Sequence, residues 1–205
     1  MKLILASASQ RRRELLEMCG YDFEIEVSRL DEHIAEKDPE RFVSKLAEAK
    51  AEEVFARLAS WEAQEGGASS GDDIAVLGSD TIVYHNGSII GKPSDEKDAF
   101  RILSELSGKT HEVYTGVAVI TSKKRLVECD ITRVTFEKLG DDEIEKYIAS
   151  GEPMDKAGAY GIQGSFGMFV QKVEGNYFTV IGLPLPRAYR MLKSVGVLPK
   201  DFRPI

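Results

Sequence analysis

The chain has 205 residues, 42% hydrophobic and 30% charged, with 27 Lys+Arg against 34 Asp+Glu and a formal charge of −7. This is an ordinary globular composition, which excludes a disordered or fibrous chain. The acidic balance excludes a protein that coats a nucleic-acid polymer, because that task needs a surplus of Lys and Arg. Any anion bound here has to meet a local cluster of cations.

Lys2–Ala6 reads as a buried strand. Its Leu3–Ala6 core is too short for the ~7–15-residue apolar region of a signal peptide, despite an Ala-Ser-Ala triplet. No apolar run approaches the ~18 residues of a membrane span. Ser9 is the expected N-cap of a helix through Leu15, Leu16, Met18 and Cys19, stopped by Gly20. Phe23–Val27 alternates as a second strand, and a polar stretch with Asp31-Glu32 follows. Asp38-Pro39-Glu40 opens a long helix. Its stripe is Val43, Leu46, Ala47, Val54, Leu58 and Trp61, with Lys50 set among them. Residues 66–73 form a Gly/Ser/Asp loop, expected to be mobile. Ile74–Leu77 and Ile82–Tyr84 read as one apolar strand interrupted by Gly78-Ser79-Asp80-Thr81.

Asn86-Gly87 predicts a hairpin turn, leading to Ile89-Ile90-Gly91-Lys92-Pro93. Ser94–Leu106 is helical, with Ala99, Ile102, Leu103 and Leu106 on one face. Glu112–Thr121 and Leu126–Phe136 form an antiparallel pair about Lys123-Lys124, and Asp141–Ala149 is a further helix. The Gly- and aromatic-rich run Ala157–Leu183 reads as strands and tight turns, and Pro184–Val195 as a last helix. With no internal repeat and no linker, residues 1–205 read as a single α/β domain built on an extended mixed sheet. Cys19 and Cys129 lie far apart without a CxxC partner, which predicts reduced, packed thiols in the cytoplasm. His33, His85 and His111 are too scattered for a soft-metal site.

Four constellations carry chemistry. Ser7-x-Ser9-x-Arg11-Arg12 at a strand-to-helix junction offers hydroxyls, backbone N–H groups and guanidinium to an anion. The same residues are also compatible with a capped helix bearing solvated arginines. Asp80 inside an apolar strand run needs a partner or an ion, although a turn-capping carboxylate is equally open. Lys50 and Lys92 are either ligand cations or solvated and snorkelling side chains. Asp155-Lys156-Ala157-Gly158-Ala159-Tyr160-Gly161-Ile162-Gln163-Gly164 has glycines suited to close backbone approach, but matches neither a P-loop nor GxGxxG. Without a Ser/His or Cys/His pair, the inventory suits a phosphate-bearing ligand attacked by water with the help of a hard cation.

In this order, the segments resemble the Maf family of nucleoside triphosphate pyrophosphatases. The matching stretches are Leu3–Leu16 through its Ser7, Ser9, Arg11, Arg12 and Glu14, then Leu46-Ala47-x-x-Lys50-Ala51. Gly78-x-Asp80-Thr81, Gly91-Lys92-Pro93, Asp155–Gly164 and Gly182-Leu183-Pro184 follow. The resemblance implies an elongated α/β fold related to inosine-triphosphate pyrophosphatases, with two lobes around a central cleft. It implies hydrolysis of a nucleoside triphosphate to monophosphate and pyrophosphate, and the Thr81 and Gln163 positions look like those of the dTTP/UTP branch. By position, Asp80 is the general base, and Arg11, Thr81 and Gln163 govern base choice. Ser7, Arg12, Lys50, Lys92 and Lys156 are polar substrate-binding positions, and Glu32 joins Asp80 in holding Mg²⁺ or Mn²⁺. A homodimer is also implied. Gln10 stands where the family usually has Pro, and the segment between Ala51 and Gly78 is longer than usual. Two other readings are a 7-methyl-GTP pyrophosphatase of the sister branch and a nucleotide-binding regulator of cell division and septum formation.

Overall fold

The computed structural model describes residues 1–32, 34–64 and 74–201. His33, the Trp61 side chain and the 66–73 loop of the sequence reading lie outside the described residues. Seven strands form one mixed sheet. Strands β1 (Lys2–Leu5), β2 (Phe23–Ile25), β3 (Ile74–His85), β5 (Thr110–Ile120), β6 (Arg125–Phe136) and β7 (Val170–Glu174) stand in the order β2-β1-β3-β5-β6-β7. The short β4 (Ser88–Ile90) pairs with β3. The β1 strand is parallel to both neighbours, with Leu3 opposite Phe23 on one side and Ala75 on the other. That interior place explains why Leu3, Ile4 and Leu5 are all buried rather than alternating. Thr110 faces Thr135 at one end of β5 and β6, and Thr121 N–H bonds the Lys124 carbonyl at the other, so this pair is antiparallel as expected.

Helices α1 (Gln10–Met18), α2 (Pro39–Gln64), α3 (Glu96–Leu106), α4 (Asp141–Ala149), α5 (Tyr177–Ile181) and α6 (Leu185–Ser194) complete the α/β architecture. Asp38 Oδ1 accepts the Arg41 N–H and Asp95 accepts the Asp98 N–H, so α2 and α3 begin on side-chain caps. Ser9 holds the expected position. It stands at the N-cap of α1, yet its hydroxyl makes no cap bond. Instead the Ser7 hydroxyl accepts the Ser9 N–H at 3.2 Å. Asn86 (φ 48°) and Gly87 (φ 79°) form the predicted hairpin, with His85 opposite Ser88.

Two expectations change. First, β3 runs unbroken through Gly78–Thr81. The strand tolerates these residues because Gly78 admits a neighbouring helix, and because the Ser79 and Asp80 side chains have partners. Second, the run Ala157–Leu183, read as strands and tight turns, holds 3₁₀ turns at Ala157–Ala159 and Ser165–Phe169 and the strand β7, but also the short helix α5. Its closely spaced glycines favour successive turns over extended strands.

The chain divides into two compact units. The first comprises Met1–Asp80, Thr115–Cys129 and Gly182–Ile205, and the second Thr81–Tyr114 and Asp130–Ile181. The first has an aliphatic core in which Ala47, Ala51 and Val54 of α2 pack on Ile4, Ile74, Val76, Ala118 and Ile120. The second is rich in aromatic residues. Phe136 meets His111, Tyr160 and Phe166 edge-on at 4.7–4.9 Å between ring centroids. Around these rings pack Ile102 and Leu103 of α3 and Ile144 and Tyr147 of α4. Cys19 and Cys129 form no disulfide with each other, and both are half-buried rather than fully packed. Among the described residues no helix is long and apolar enough to cross a membrane.

Candidate active site

Close approach of α2 to the sheet builds the centre of the first unit. A Cβ at Gly78 would lie 2.2 Å from the Ala47 carbonyl oxygen, and one at Gly116 would lie 2.3 Å from that of Val43. Only glycine leaves room for the helix backbone at these two points. Lys50, one turn beyond Ala47, is thereby set against β3. Its Nζ donates to Asp80 Oδ1 at 2.7 Å and lies 2.9 Å from Glu32 Oε1. The Lys50 and Asp80 side chains are 10% and 11% exposed and Glu32 is 58% exposed, so the buried pair opens to solvent through Glu32.

Arg12 approaches from α1. Its Nε donates to the Gly182 carbonyl at 2.8 Å and its Nη1 to Ser7 Oγ at 3.1 Å. Ser79 Oγ lies 2.9 Å from that same Gly182 carbonyl and from the Gly116 carbonyl. Burial draws the Arg12 pKa down against the opposing pull of Asp80, and nearby Arg11 lowers it further. Arginine starts so high that the guanidinium remains a cation at neutral pH. Burial raises the Asp80 carboxyl above the ordinary aspartate range, and the Lys50 and Arg12 charges oppose that rise. The three arginines separate by role. Arg12 turns inward, Arg11 stays near it, and Arg13 pairs with Glu17 on the exposed side.

The second unit gathers the remaining predicted residues. Gly158 N–H donates to the Gly91 carbonyl at 2.9 Å, which ties the Gly91-Lys92-Pro93 segment to the Asp155–Gly164 block. Glycine is required at 158 on two counts, a φ of +71° and a Cβ that would meet Val83 Cγ2 at 2.5 Å. Lys156 Nζ donates to the Glu152 carbonyl at 2.6 Å and to Asp155 Oδ1 at 2.7 Å, while Lys92 and Gln163 are exposed. Thr81 follows Asp80 on an unbroken strand, so their side chains leave opposite faces. The structure therefore brings Ser7, Arg11, Arg12, Glu32, Lys50 and Asp80 together in one unit. Thr81, Lys92, Lys156 and Gln163 belong to the other. Sequence reasoning missed Ser79, Gly116 and the carbonyl of Gly182. Ser79 and Gly182 stood inside or beside the quoted motifs, but neither offered a reason for its presence until the hydrogen bonds were seen.

Among the described residues no group of three or more His, Cys, Asp or Glu side chains converges. Glu32 and Asp80 do converge, on one ammonium. Two hard oxygen donors around a single positive charge form a set that Mg²⁺ or Mn²⁺ accepts when phosphate and water oxygens fill its other positions.

The chain matches the Maf-like proteins over residues 2–195 and belongs to that family. It is similar to proteins named dTTP/UTP pyrophosphatase. The one from Clostridium acetobutylicum is 46% identical, with 96% of this chain and 99% of that protein covered. The one from Bacillus thuringiensis is 48% identical, with 96% of each covered. The one from Agathobacter rectalis is 46% identical, with 96% of this chain and 98% of that protein covered.

Proposed function

We propose that this protein hydrolyses dTTP and UTP to the nucleoside monophosphate and pyrophosphate. The observation that carries the reading is Asp80, a buried carboxylate 2.7 Å from Lys50 and within the field of Arg12. Burial alone would favour a neutral acid, and the two cations favour the anion. The outcome is a carboxylate more basic than an ordinary aspartate, which suits a general base. Asp80 orients a water and takes its proton as the water oxygen bonds to the α-phosphorus. The bond from that phosphorus to the bridging oxygen breaks, and pyrophosphate leaves with the electron pair. Arg12, Lys50, Lys92 and Lys156 offset charge on the triphosphate and leaving group, and Ser7 holds Arg12 in place. Glu32 and Asp80 are the residues that would hold Mg²⁺ or Mn²⁺, which when bound supplies positive charge against the phosphate oxygens.

Arg11, Thr81 and Gln163 select the base. A uracil edge presents acceptor, donor and acceptor, which the Gln163 amide partly complements. Cytosine inverts the group at position 4, and a mismatch of that kind is rejected by up to ~10⁴–10⁵. The C5 methyl that separates thymine from uracil is worth only about 1–3 kcal/mol, so both nucleotides, along with C5-modified uridines, are substrates. The names of the relatives support this branch over the 7-methyl-GTP one. On the resemblance alone, we take residues 1–205 as one catalytic domain, the cytoplasm as its compartment and a homodimer as its assembly. The deciding experiment is pyrophosphate release from a panel of triphosphates in the presence of Mg²⁺ or Mn²⁺. Rapid release from UTP and dTTP and slow release from CTP is expected. Equal rates with all common triphosphates would overturn the reading.

A further inference from the structure

The turn that carries Gln163 is held from two sides by residues that have no part in the chemistry above. Gly164 N–H returns to the Gly161 carbonyl at 3.3 Å, making Ile162 and Gln163 the corner residues of a tight turn. On one side, the Gly161 N–H donates to the buried hydroxyl of Tyr147 at 3.0 Å. Tyr147 is itself locked in the aromatic core, its ring centroid 4.8 Å from that of Phe166. Burial above all, and the neighbouring Glu152, hold this phenol above its ordinary pKa, so it remains a neutral hydroxyl able to accept that bond.

Glu152 covers the other side. A Cβ at Gly161 would come within 2.6 Å of Glu152 Oε1, and one at Gly164 within 2.3 Å of the same oxygen. The Lys156 side chain closes over Gly161 in the same way, at 2.8 Å. Gly164 has φ −91°, which any residue adopts, and the atoms its Cβ would meet are the carboxylate end of the Glu152 side chain, so a side chain there displaces Glu152 rather than straining the backbone. The Glu152 carboxylate thus lies against both glycines of the turn that carries Gln163.

We propose that Tyr147 and Glu152 are positioning residues for substrate choice, fixing the 161–164 turn so that the Gln163 amide meets the base edge in one orientation. The inference rests on the assignment of Gln163 to base reading. An amide free to rotate satisfies cytosine as well as uracil. Loosening the turn therefore lowers selectivity before it lowers turnover.

The test measures kcat and KM for UTP and CTP with the full-length wild type and the variants Gln163→Ala, Tyr147→Phe, Glu152→Ala, Glu152→Gln and Gly164→Ala. Tyr147→Phe keeps the ring packing and removes the hydroxyl that accepts from Gly161 and bonds Glu152. The expected result is a UTP/CTP ratio of kcat/KM lowered by about fivefold to tenfold in Tyr147→Phe and Glu152→Ala. The loss appears as a raised KM for UTP with kcat within about threefold, and Glu152→Gln recovers most of it. Gly164→Ala, which displaces Glu152 from the turn, gives the same loss and serves if a Tyr147 or Glu152 variant fails to fold. If Gln163→Ala lowers the ratio while the Tyr147, Glu152 and Gly164 variants leave it within twofold, the positioning role is wrong. If Gln163→Ala leaves the ratio unchanged, the base-reading assignment is wrong and the positioning role falls with it.

Discussion

Lys50 Nζ donates to Asp80 Oδ1 at 2.7 Å across 30 residues of sequence, and both side chains are about nine-tenths buried. Removing one member of such a pair strands a charge in low dielectric. Lys50→Met is expected to destabilise the protein by about 3 kcal/mol, and Lys50→Met/Asp80→Leu to recover most of that loss. Urea unfolding of Lys50→Met and of the double variant checks this. A double variant no more stable than Lys50→Met would remove the pair from the stability argument.

The same pair sets the pH dependence of activity. Burial raises Asp80, whereas the ammonium holds its anion, so the acid limb of kcat/KM falls above the ordinary aspartate range. Withdrawing the ammonium in Lys50→Met raises the carboxyl further, and the acid limb moves to higher pH. Asp80→Asn loses about 10²–10⁴ in kcat, because the proton acceptor is gone. A pH–rate profile for the wild type and Lys50→Met decides the direction, and an unmoved or lowered limb would contradict the assignment.

Gly78 offers a structural test. Its Cβ would sit 2.2 Å from the Ala47 carbonyl, so Gly78→Ala forces α2 away from β3 at a cost of about 1–3 kcal/mol or more. Because Lys50 rides on that helix, kcat falls as well. Gly91 is the contrast. It belongs to a family motif, yet a Cβ there meets nothing within 4 Å. Only its carbonyl is used, by the Gly158 N–H. Gly91→Ala is expected to stay within about 0.5 kcal/mol of wild type in thermal or urea unfolding.

His111 gives the second unit a defined acid sensitivity. Burial holds its imidazole down to about 3, and its Nδ1 has no partner among the described residues while Nε2 meets the Tyr160 hydroxyl at 2.9 Å. Between about pH 6.5 and 3 the unfolded chain binds a proton that the native state refuses. Stability therefore falls as pH falls through that window, by at most about 1.4 kcal/mol per unit. His111→Phe flattens this slope whatever its effect on absolute stability. Unfolding free energies at pH 7, 6 and 5 make the comparison.

Much of the fold was legible before the structure. The α3 face was predicted residue by residue, because a 3.6-residue period reports directly which side is buried. The Asn86-Gly87 hairpin was legible because both residues accept positive φ. The unbroken β3 was not, since a run of Gly, Ser, Asp and Thr disfavours a strand until its partners are known. Ser9 was legible as the N-cap position, although its hydroxyl makes no cap bond.

By itself the sequence determined most of the element types and offered a short set of candidate residues for phosphate chemistry. Periodicity, turn chemistry and residue type are local properties, so a linear reading reaches them. The tertiary structure decided which cation serves which anion. It turned Arg12 inward to a carbonyl 170 residues away, left Arg13 to solvent, and let Gly78 and Gly116 bring a helix close enough for Lys50 to reach Asp80. Those outcomes depend on distances of a few tenths of an ångström between packed backbones, which no spacing along the chain encodes. The packing of a few cations around one buried carboxylate defines the candidate site.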